Sequence, residues 1–224
     1  MAEEKLRQNV AEAYDTWSSV YDSCENPTRD LDMKALQEQN LNFTDKTVVE
    51  FGCGTGRHTE WIASTGCKSV LAMDLSPGML EKARERISNP KVSFLQYDIT
   101  KKWPLERESV DVIFGDLVLE HIEGLQPFFE QAYRTLKPRG ILFVCELHPM
   151  KQFLGSKARL EGKNGDLLAA PPCFFHDVSD YVRWGLNQGL TLVKLEEWRD
   201  VDCCESEKIN HVPRLLSVQF TKEA

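Results

Sequence analysis

The fold can be inferred from residues 48–58, which read Val48-Val49-Glu50-Phe51-Gly52-Cys53-Gly54-Thr55-Gly56-Arg57-His58. An apolar run leads into a loop with glycine at every second position, and an amphipathic segment follows the loop. Glycine allows the backbone to turn tightly and to lie directly against a bound ligand. The sequence therefore predicts a buried strand, a ligand-binding loop and the start of a helix.

On both sides of this loop, β-branched apolar runs alternate with amphipathic segments at a spacing of roughly 20 to 25 residues. The pattern is typical of βαβ units around a parallel sheet, whose strands are apolar throughout because both faces are buried. The predicted strands are Thr47–Phe51, Ser69–Asp74, Val92–Gln96, Val110–Phe114 and Ile141–Glu146. The predicted helices are Arg57–Ser64, Gly78–Ile87 and Gln126–Leu136, the last of them ended by a turn over Lys137–Gly140.

The chain is predicted to form one domain, residues 1–224, with other patterns on either side of the alternating part. We divide it into an N-terminal helical cap (1–42), a core (43–146), a lid-like insertion (147–177) and a closing helix and hairpin (178–224). Tyr14, Trp17 and Tyr21 recur at spacings of three and four, so one face of the cap helix is aromatic. The insertion has no clear period and is rich in glycine and proline, which is typical of a functional lid. The closing elements are Val178–Asn187, Leu190–Trp198 and Leu215–Thr221.

The composition excludes several classes of protein. A hydrophobic share of 42% and a charged share of 28% over 224 residues are typical of a globular domain. The 35 acidic and 27 basic residues give a net charge of −8, which disfavours a nucleic-acid partner. Seven cysteines without a C-x-x-C pair, a polar N-terminus and the lack of a long apolar run predict a cytoplasmic protein outside the membrane. The pattern does not indicate an oligomeric state.

Acidic residues stand at the ends of three successive predicted strands. Glu50 precedes the glycine loop, Asp74 ends the second strand and Asp98 follows the third. A carboxylate at the second strand end is placed to accept the hydroxyls of a ribose. The third glycine of a dinucleotide-binding loop would fall at residue 57, which is Arg57. The pattern therefore suits a nucleoside that carries amino groups better than a diphosphate.

Five blocks of sequence resemble the class I S-adenosylmethionine-dependent methyltransferases, and most closely the small-molecule branch typified by enzymes of ubiquinone and menaquinone biosynthesis. These blocks are residues 48–56, 73–80, 96–99, 117–122 and 136–142. The resemblance implies a Rossmann-like α/β fold with a seven-stranded, mostly parallel sheet in the order 3-2-1-4-5-7-6, strand 7 being antiparallel. It also implies S-adenosylmethionine as the cofactor, S-adenosylhomocysteine as the product, and methyl transfer to oxygen, nitrogen or sulfur of a small organic molecule.

The resemblance also assigns cofactor-binding residues. It places the methionine end of the cofactor near Gly52, Gly54, Gly56, Gly115 and Asp116, with Glu50 behind the loop. It places the ribose at Asp74, the adenine at Leu75, Asp98 and Ile99, and Tyr14 and Tyr21 over the ligand. Plain structural roles compete with these assignments, because the two tyrosines could be core aromatics and Asp98 could cap a turn.

A sulfonium methyl group is already activated, so its transfer requires alignment and exclusion of water but neither a metal nor a covalent nucleophile. We therefore predict no metal site. A hydroxyl or protonated amine acceptor must still lose a proton to a base. His121 and His148 follow the fourth and fifth predicted strands, so both are candidate bases at the carboxyl edge of the sheet. His176 and Arg29 are candidate substrate contacts, although Arg29 could instead pair with a neighbouring carboxylate.

Two alternatives to methyl transfer stay open at this point. One is a nicotinamide-dependent oxidoreductase, against which Arg57 in place of a glycine speaks. The other is a cofactor-binding regulator that has lost catalysis, which the intact glycines and acids disfavour without excluding. Binding of S-adenosylhomocysteine or of NAD separates the first alternative from a methyltransferase.

Overall fold

The structure is a computed structural model that describes residues 2–23, 25–161, 166–200 and 211–224. The helices in these residues are α1 (Ala2–Ser18), α2 (Pro27–Glu38), α3 (Arg57–Ser64), α4 (Pro77–Arg86), α5 (Gln126–Thr135), α6 (Pro149–Phe153) and α7 (Val178–Asn187). The strands are β1 (Thr47–Phe51), β2 (Ser69–Asp74), β3 (Val92–Gln96), β4 (Val110–Asp116), β5 (Leu136–Leu147), β6 (Leu160–Glu161), β7 (Leu167–Ala169), β8 (Leu190–Trp198) and β9 (Leu215–Lys222). Short 3₁₀ turns lie at Tyr21–Ser23 and Leu119–His121.

Seven of these strands form one sheet in the order β3-β2-β1-β4-β5-β9-β8. The strands from β1 to β5 pair in parallel, whereas β9 runs antiparallel to both of its neighbours. The remaining two, β6 and β7, form a separate antiparallel ribbon. When the strands of the main sheet alone are numbered, β8 is strand 6 and β9 is strand 7. The order is then 3-2-1-4-5-7-6, with strand 7 antiparallel. The predicted fold class is confirmed.

The sheet is buried on both faces, and β1 shows why its sequence is apolar throughout. Val49 and Phe51 pack in one hydrophobic cluster with Phe128 of α5. Val48 points to the opposite face and packs in a second cluster with Ile62 of α3. Burying each such side chain stabilises the fold by about 1.5–3 kcal/mol, so helices are required on both sides.

Most element boundaries follow the sequence, but β4 and β5 are longer than predicted. Residues 137–140 do not form a terminating turn, because β5 already begins at Leu136. Leu136 pairs with Val110, and a register shift after Val110 absorbs the extra residues. The β-branched pattern identified only the regular half of this strand.

The N-terminal cap lies across the carboxyl ends of the strands. Asp15 of α1 accepts hydrogen bonds at the start of α4 from the Gly78 backbone N–H, at 2.8 Å, and from the Ser76 hydroxyl. Nearby, Tyr14 and Trp17 stack with their ring centroids 5.9 Å apart, as the aromatic spacing predicts. The cap is thus fastened to the sheet by polar contacts as well as by apolar packing.

The insertion contains more regular structure than its sequence indicates. It begins with the short helix α6 and continues into the ribbon β6–β7. Leu160 and Ala169 of the ribbon pack against Ala13 and Trp17 of α1. The insertion therefore lies against the cap. None of the helices in the described part of the chain has the length and apolar character needed to cross a membrane.

Candidate cofactor and acceptor site

A cleft of about 1000 Å³, with open solvent at its mouth included, lies at the carboxyl ends of the parallel strands. Open α/β sheets bind their ligands at this edge. We call it the main cleft. Its lining includes nine predicted cofactor residues: Tyr14, Tyr21, Gly52, Gly54, Asp74, Leu75, Asp98, Ile99 and Asp116. The α1 residues Arg7, Val10 and Ala11 form part of the same wall.

The glycine loop has a backbone that other residues would strain. Gly52 has a φ of +69°, and a Cβ there would approach the Val118 side chain to 2.8 Å. Gly56 has a φ of +83° at the N-cap of α3, and a Cβ there would lie 2.9 Å from Ile87. The loop therefore depends on glycine for its conformation, and Gly54 presents its backbone to the main cleft.

Asp74 joins the loop to the end of β2. One carboxylate oxygen accepts from the Gly54 backbone N–H and the other from the Ser76 backbone N–H, both at 2.8 Å. Burial raises the pKa of Asp74, and these two N–H donors oppose that effect. A carboxylate oxygen has two lone pairs, so each oxygen can accept one more hydrogen bond from a ligand.

Asp98 makes a local turn at the end of β3. Its Oδ1 accepts from the Thr100 backbone N–H at 2.9 Å and from the Thr100 hydroxyl at 2.6 Å. Arg7 of α1 lies 3.9 Å from the same carboxylate. The turn-capping role and a place on the wall of the main cleft are therefore both present.

Three of the predicted cofactor residues lie behind the wall and not on it. Glu50 is 1% exposed and accepts a hydrogen bond from the Thr59 hydroxyl of α3. Burial raises the pKa of Glu50 to about 8. Gly56 opens α3, and Gly115 packs under the side chain of Val118. These residues shape the loop and do not line the main cleft.

The lining of the main cleft includes a trio of polar side chains, the buried acids Asp32 of α2 and Asp116 of β4 and the half-buried His58 of α3. His58 Nε2 lies 3.3 Å from Asp32 Oδ2 and 3.8 Å from Asp116 Oδ2. Both oxygens of Asp116, and Oδ1 of Asp32, are buried without a hydrogen-bond partner among the described residues. Each such group carries a desolvation cost that a donor would relieve.

Burial sets the protonation of this trio. It raises the pKa of Asp32 to about 7 and raises that of Asp116 well above its usual range, while it lowers the pKa of His58 to about 3. The free protein thus keeps His58 neutral, and negative charge on the two acids is unfavourable until a cation enters. The donor atoms lie within 4.8 Å of one another, a spacing that also suits a metal ion.

Asp32 and His58 were missed at the sequence level. Asp32 stands four residues before the buried Leu36, so it lies on the apolar face of α2, where an acid is unexpected. An acidic residue on an apolar helix face is the one sequence signal that could have identified Asp32. His58 carries no comparable signal, because its neighbours across the cleft are far away in sequence.

His121 and Tyr14 form a hydrogen-bonded pair at the main cleft. His121 Nδ1 lies 2.8 Å from the carbonyl oxygen of Pro172, which can only accept, so Nδ1 carries the proton. Nε2 is then the acceptor, and the Tyr14 hydroxyl, 2.8 Å away, donates to it. Burial raises the pKa of Tyr14 well above its usual range, so this side chain is a neutral hydroxyl.

A second chamber of about 790 Å³ adjoins the main cleft, again with open solvent included. It shares Tyr14, Tyr21, Arg29 and Leu117 with the main cleft. The rest of its wall comes from the cap, the 3₁₀ turn after β4, the end of β5, the insertion and the residue before β9: Trp17, Asn26, Thr28, Glu120, Leu147, Ser156, Lys157, Ala158, Arg159 and Arg214. Arg29 lies over the ring of Tyr21 at 4.1 Å and 4.0 Å from Asp22, so it has a neighbouring carboxylate and also lines both cavities.

The other two predicted histidines lie outside both cavities. His148 caps α6 through Nδ1, which accepts from the Met150 backbone N–H at 3.1 Å, and its Nε2 lies 3.2 Å from Glu197. His176 is 5% exposed and donates to the carbonyl oxygen of Ile122 at 2.9 Å. The structure therefore does not bring His148 or His176 to the wall of either cavity, so nothing here supports the predicted base role of His148 or the predicted substrate contact of His176. His121 is the predicted histidine that reaches the site.

The chain is similar to known methyltransferases. The sequence profile of a family described as a methyltransferase domain matches residues 49–144. An uncharacterized methyltransferase of Emericella nidulans is 29% identical over 82% of this chain and 76% of the fungal protein. A demethylmenaquinone methyltransferase of Tropheryma whipplei is 31% identical over 70% of this chain, which spans 63% of that enzyme.

A solved structure has the same fold. The S-adenosylmethionine-dependent methyltransferase from Mesorhizobium loti superimposes with a TM-score of 0.71 at 19% identity, over 86% of this chain and 98% of that one. The segment matched by the family profile, residues 49–144, contains the glycine loop, the acids at the strand ends and His121. The family and cofactor predicted from the sequence are confirmed: residues 49–144 are a methyltransferase domain, and the chain has the fold of S-adenosylmethionine-dependent methyltransferases over 86% of its length.

Proposed function

We propose that this protein transfers the methyl group of S-adenosylmethionine to a small organic acceptor, and that Tyr14 and His121 remove the proton of that acceptor. The observation that carries the proposal is the position of Tyr14. Its side chain lines both the main cleft and the second chamber, and its hydroxyl is hydrogen-bonded to His121. A ligand in each cavity would therefore meet at this pair.

The residues of the main cleft fit the cofactor. Its ammonium group would be held by Asp32 and Asp116, since Oδ1 of Asp32 and both carboxylate oxygens of Asp116 are buried without a donor among the described residues. Its ribose hydroxyls would be held by the second lone pairs of Asp74, and Leu75 and Ile99 offer apolar surface for the adenine. When bound, the cofactor supplies an activated methyl group on a positively charged sulfur.

The chain contributes alignment, exclusion of water and proton removal. The α1 helix covers the cavities, and Asp15 fastens it to α4. When the acceptor donates its proton to the Tyr14 oxygen, the Tyr14 proton passes to His121 Nε2, and the Pro172 carbonyl oxygen keeps the imidazolium oriented. The acceptor atom is left with the lone pair that forms the new bond.

The proposal extends to the kind of acceptor and to the cellular compartment. The size of the second chamber supports a small acceptor. The net charge of −8 of the chain speaks against a nucleic acid as the acceptor. A reducing compartment such as the cytoplasm is supported by the four described cysteines, Cys53, Cys67, Cys145 and Cys173, which are free thiols.

The experiment has two stages. Calorimetry first measures binding of S-adenosylhomocysteine, and a metabolite screen with a labelled methyl donor then identifies the acceptor. Binding without transfer to any metabolite would favour the regulator that has lost catalysis. Binding of NAD without binding of S-adenosylhomocysteine would contradict the proposal altogether.

Asp74→Ala is expected to weaken S-adenosylhomocysteine binding by about 1–3 kcal/mol, because a buried hydrogen-bonding group is left unpaired. Calorimetry measures the affinity, and thermal unfolding checks that the variant is folded. Glu85→Ala, which removes an exposed carboxylate on α4, serves as the control with unchanged affinity. Equal affinity of the folded Asp74→Ala protein and the wild type would remove Asp74 from the site.

A further inference from the structure

We propose that the second chamber binds the acceptor through an acidic group, a carboxylate or a phosphoryl group. The inference rests on the proposed function, since it assigns a substrate class to the same site. It concerns the wall of the second chamber that faces away from His121, where the cap, the insertion and the residue before β9 meet.

The charged side chains that line this wall are mostly cationic, although the chain as a whole is acidic. Four cationic side chains line the chamber, namely Arg29, Lys157, Arg159 and Arg214, against one acidic side chain, Glu120. The chain as a whole has eight more acidic than basic residues. A cavity lined by one sign of charge with apolar neighbours concentrates ligands of the other sign.

Two of the cations are held in fixed positions. Arg29 is 6% exposed, lies over the Tyr21 ring and donates to the Tyr21 carbonyl oxygen. Arg214 donates to Asp200 at 2.8 Å and to the Thr28 hydroxyl at 3.0 Å. Lys157 and Arg159 are exposed side chains of the insertion. The wall thus combines two cations held in place with two exposed ones.

Trp17 provides an independent indication of the ligand. It is 7% exposed and lines the chamber, and its indole N–H has no acceptor among the described residues. A buried N–H without a partner is costly. Carboxylate and phosphoryl oxygens accept hydrogen bonds and cannot donate, so they match this N–H and the cations together.

Glu120 fixes the orientation of the acceptor. Its carboxylate accepts from Gln152 Nε2 at 3.1 Å and lies 3.9 Å from His121 Nε2. An anionic group is repelled from that side and drawn to the cationic wall. The uncharged part of the acceptor is then left beside Tyr14, where the proton is removed.

The indole N–H signals in a ¹⁵N–¹H spectrum test this inference. The chain has five tryptophans, and the signal lost in Trp17→Phe identifies Trp17. Malonate, inorganic phosphate and the uncharged malonamide are titrated into the protein, both free and saturated with S-adenosylhomocysteine. We expect the Trp17 signal to shift in a saturable manner with malonate, phosphate or both, and not with malonamide.

Matched variants give the second readout. Lys157→Gln/Arg159→Gln is expected to weaken anion binding about tenfold, the effect of losing one strong charge-assisted contact. Lys68→Gln/Arg107→Gln removes the same charge from exposed sites elsewhere and is expected to bind as the wild type does. A shift with malonate alone assigns a carboxylate acceptor, and a shift with phosphate alone assigns a phosphoryl acceptor.

Three results would overturn the inference: no saturable shift with either anion, an equal shift with malonamide, or equal weakening in the two double variants. Failure of the proposed function has a different signature. In that case S-adenosylhomocysteine produces no heat in calorimetry, while the anion titration of the free protein still decides whether the chamber binds an acidic group.

Discussion

Replacing His121 by alanine is expected to lower the turnover number about 10²- to 10⁴-fold, the range attributed to a positioned general base. The affinity for S-adenosylhomocysteine should change little, because the cofactor is held by other residues. Tyr14→Phe should cause a similar loss, since it removes the hydroxyl that links the acceptor to His121 Nε2. Initial rates with the acceptor found in the metabolite screen, together with calorimetry, measure both quantities.

The double variant sharpens this prediction. Two residues that pass one proton act as a unit, so Tyr14→Phe combined with His121→Ala should lose little more than either change alone. His148→Asn is the matched control, because His148 lies outside both cavities and asparagine can still cap α6. A full rate in His121→Ala, or a large loss in His148→Asn, would contradict the assignment of the base.

Asp116→Asn is expected to weaken S-adenosylmethionine binding by about 2–5 kcal/mol, the cost of removing one partner of a buried charge pair. This corresponds to a loss of affinity between about 30-fold and about 5,000-fold. The stability of the free protein should stay equal or rise, because asparagine replaces a carboxylate whose burial opposes its charge. Calorimetry and thermal unfolding measure the two effects, which have opposite signs.

Asp45→Asn is the control for this change. It also removes one negative charge, and Asp45 lies in an exposed turn with a φ of +57°, a conformation that asparagine tolerates. Unchanged cofactor affinity in Asp116→Asn would show that the trio does not hold the ammonium group. Lower stability of the free variant would show that Asp116 has a partner in the free protein.

The same trio predicts a pH dependence of cofactor binding. Burial raises the pKa of Asp32 to about 7 in the free protein, so the carboxylate is protonated below that pH. A cationic ligand requires the charged form, and its affinity should fall by up to about tenfold per pH unit as the pH drops below 7. Binding near pH 6 should release a proton, which calorimetry in buffers of different ionisation enthalpy detects. A cofactor affinity that is constant from pH 6 to 8 would contradict this prediction. A pH dependence that Asp32→Asn leaves unchanged would also contradict it.

The sequence predicts the scaffold well because its signals are local. The apolar run before Gly52 and the amphipathic segment after Asp74 depend only on nearby residues, and the structure has a strand and the helix α4 there. The trio could not be predicted in this way. Asp32, His58 and Asp116 come from three elements, and only the packing of α2 and α3 against β4 brings them together.

The two candidate bases illustrate the same limit. His121 and His148 each follow a strand of the parallel sheet, and spacing alone treats them alike. Both use Nδ1 for a backbone group, and they differ in the partner of Nε2. His148 Nε2 lies 3.2 Å from Glu197, outside both cavities, whereas His121 Nε2 lies 2.8 Å from the Tyr14 hydroxyl at the main cleft. The partner that a side chain finds across the fold is a tertiary property that a strand pattern does not carry.

The docking of α1 through Asp15 has a consequence for the reaction. The helix that covers the cavities also carries Tyr14, next to Asp15 in the sequence. The contacts of Asp15 with Ser76 and Gly78 therefore also hold the Tyr14 hydroxyl 2.8 Å from His121 Nε2. A single anchor thus serves both the cover of the cavities and the path of the proton.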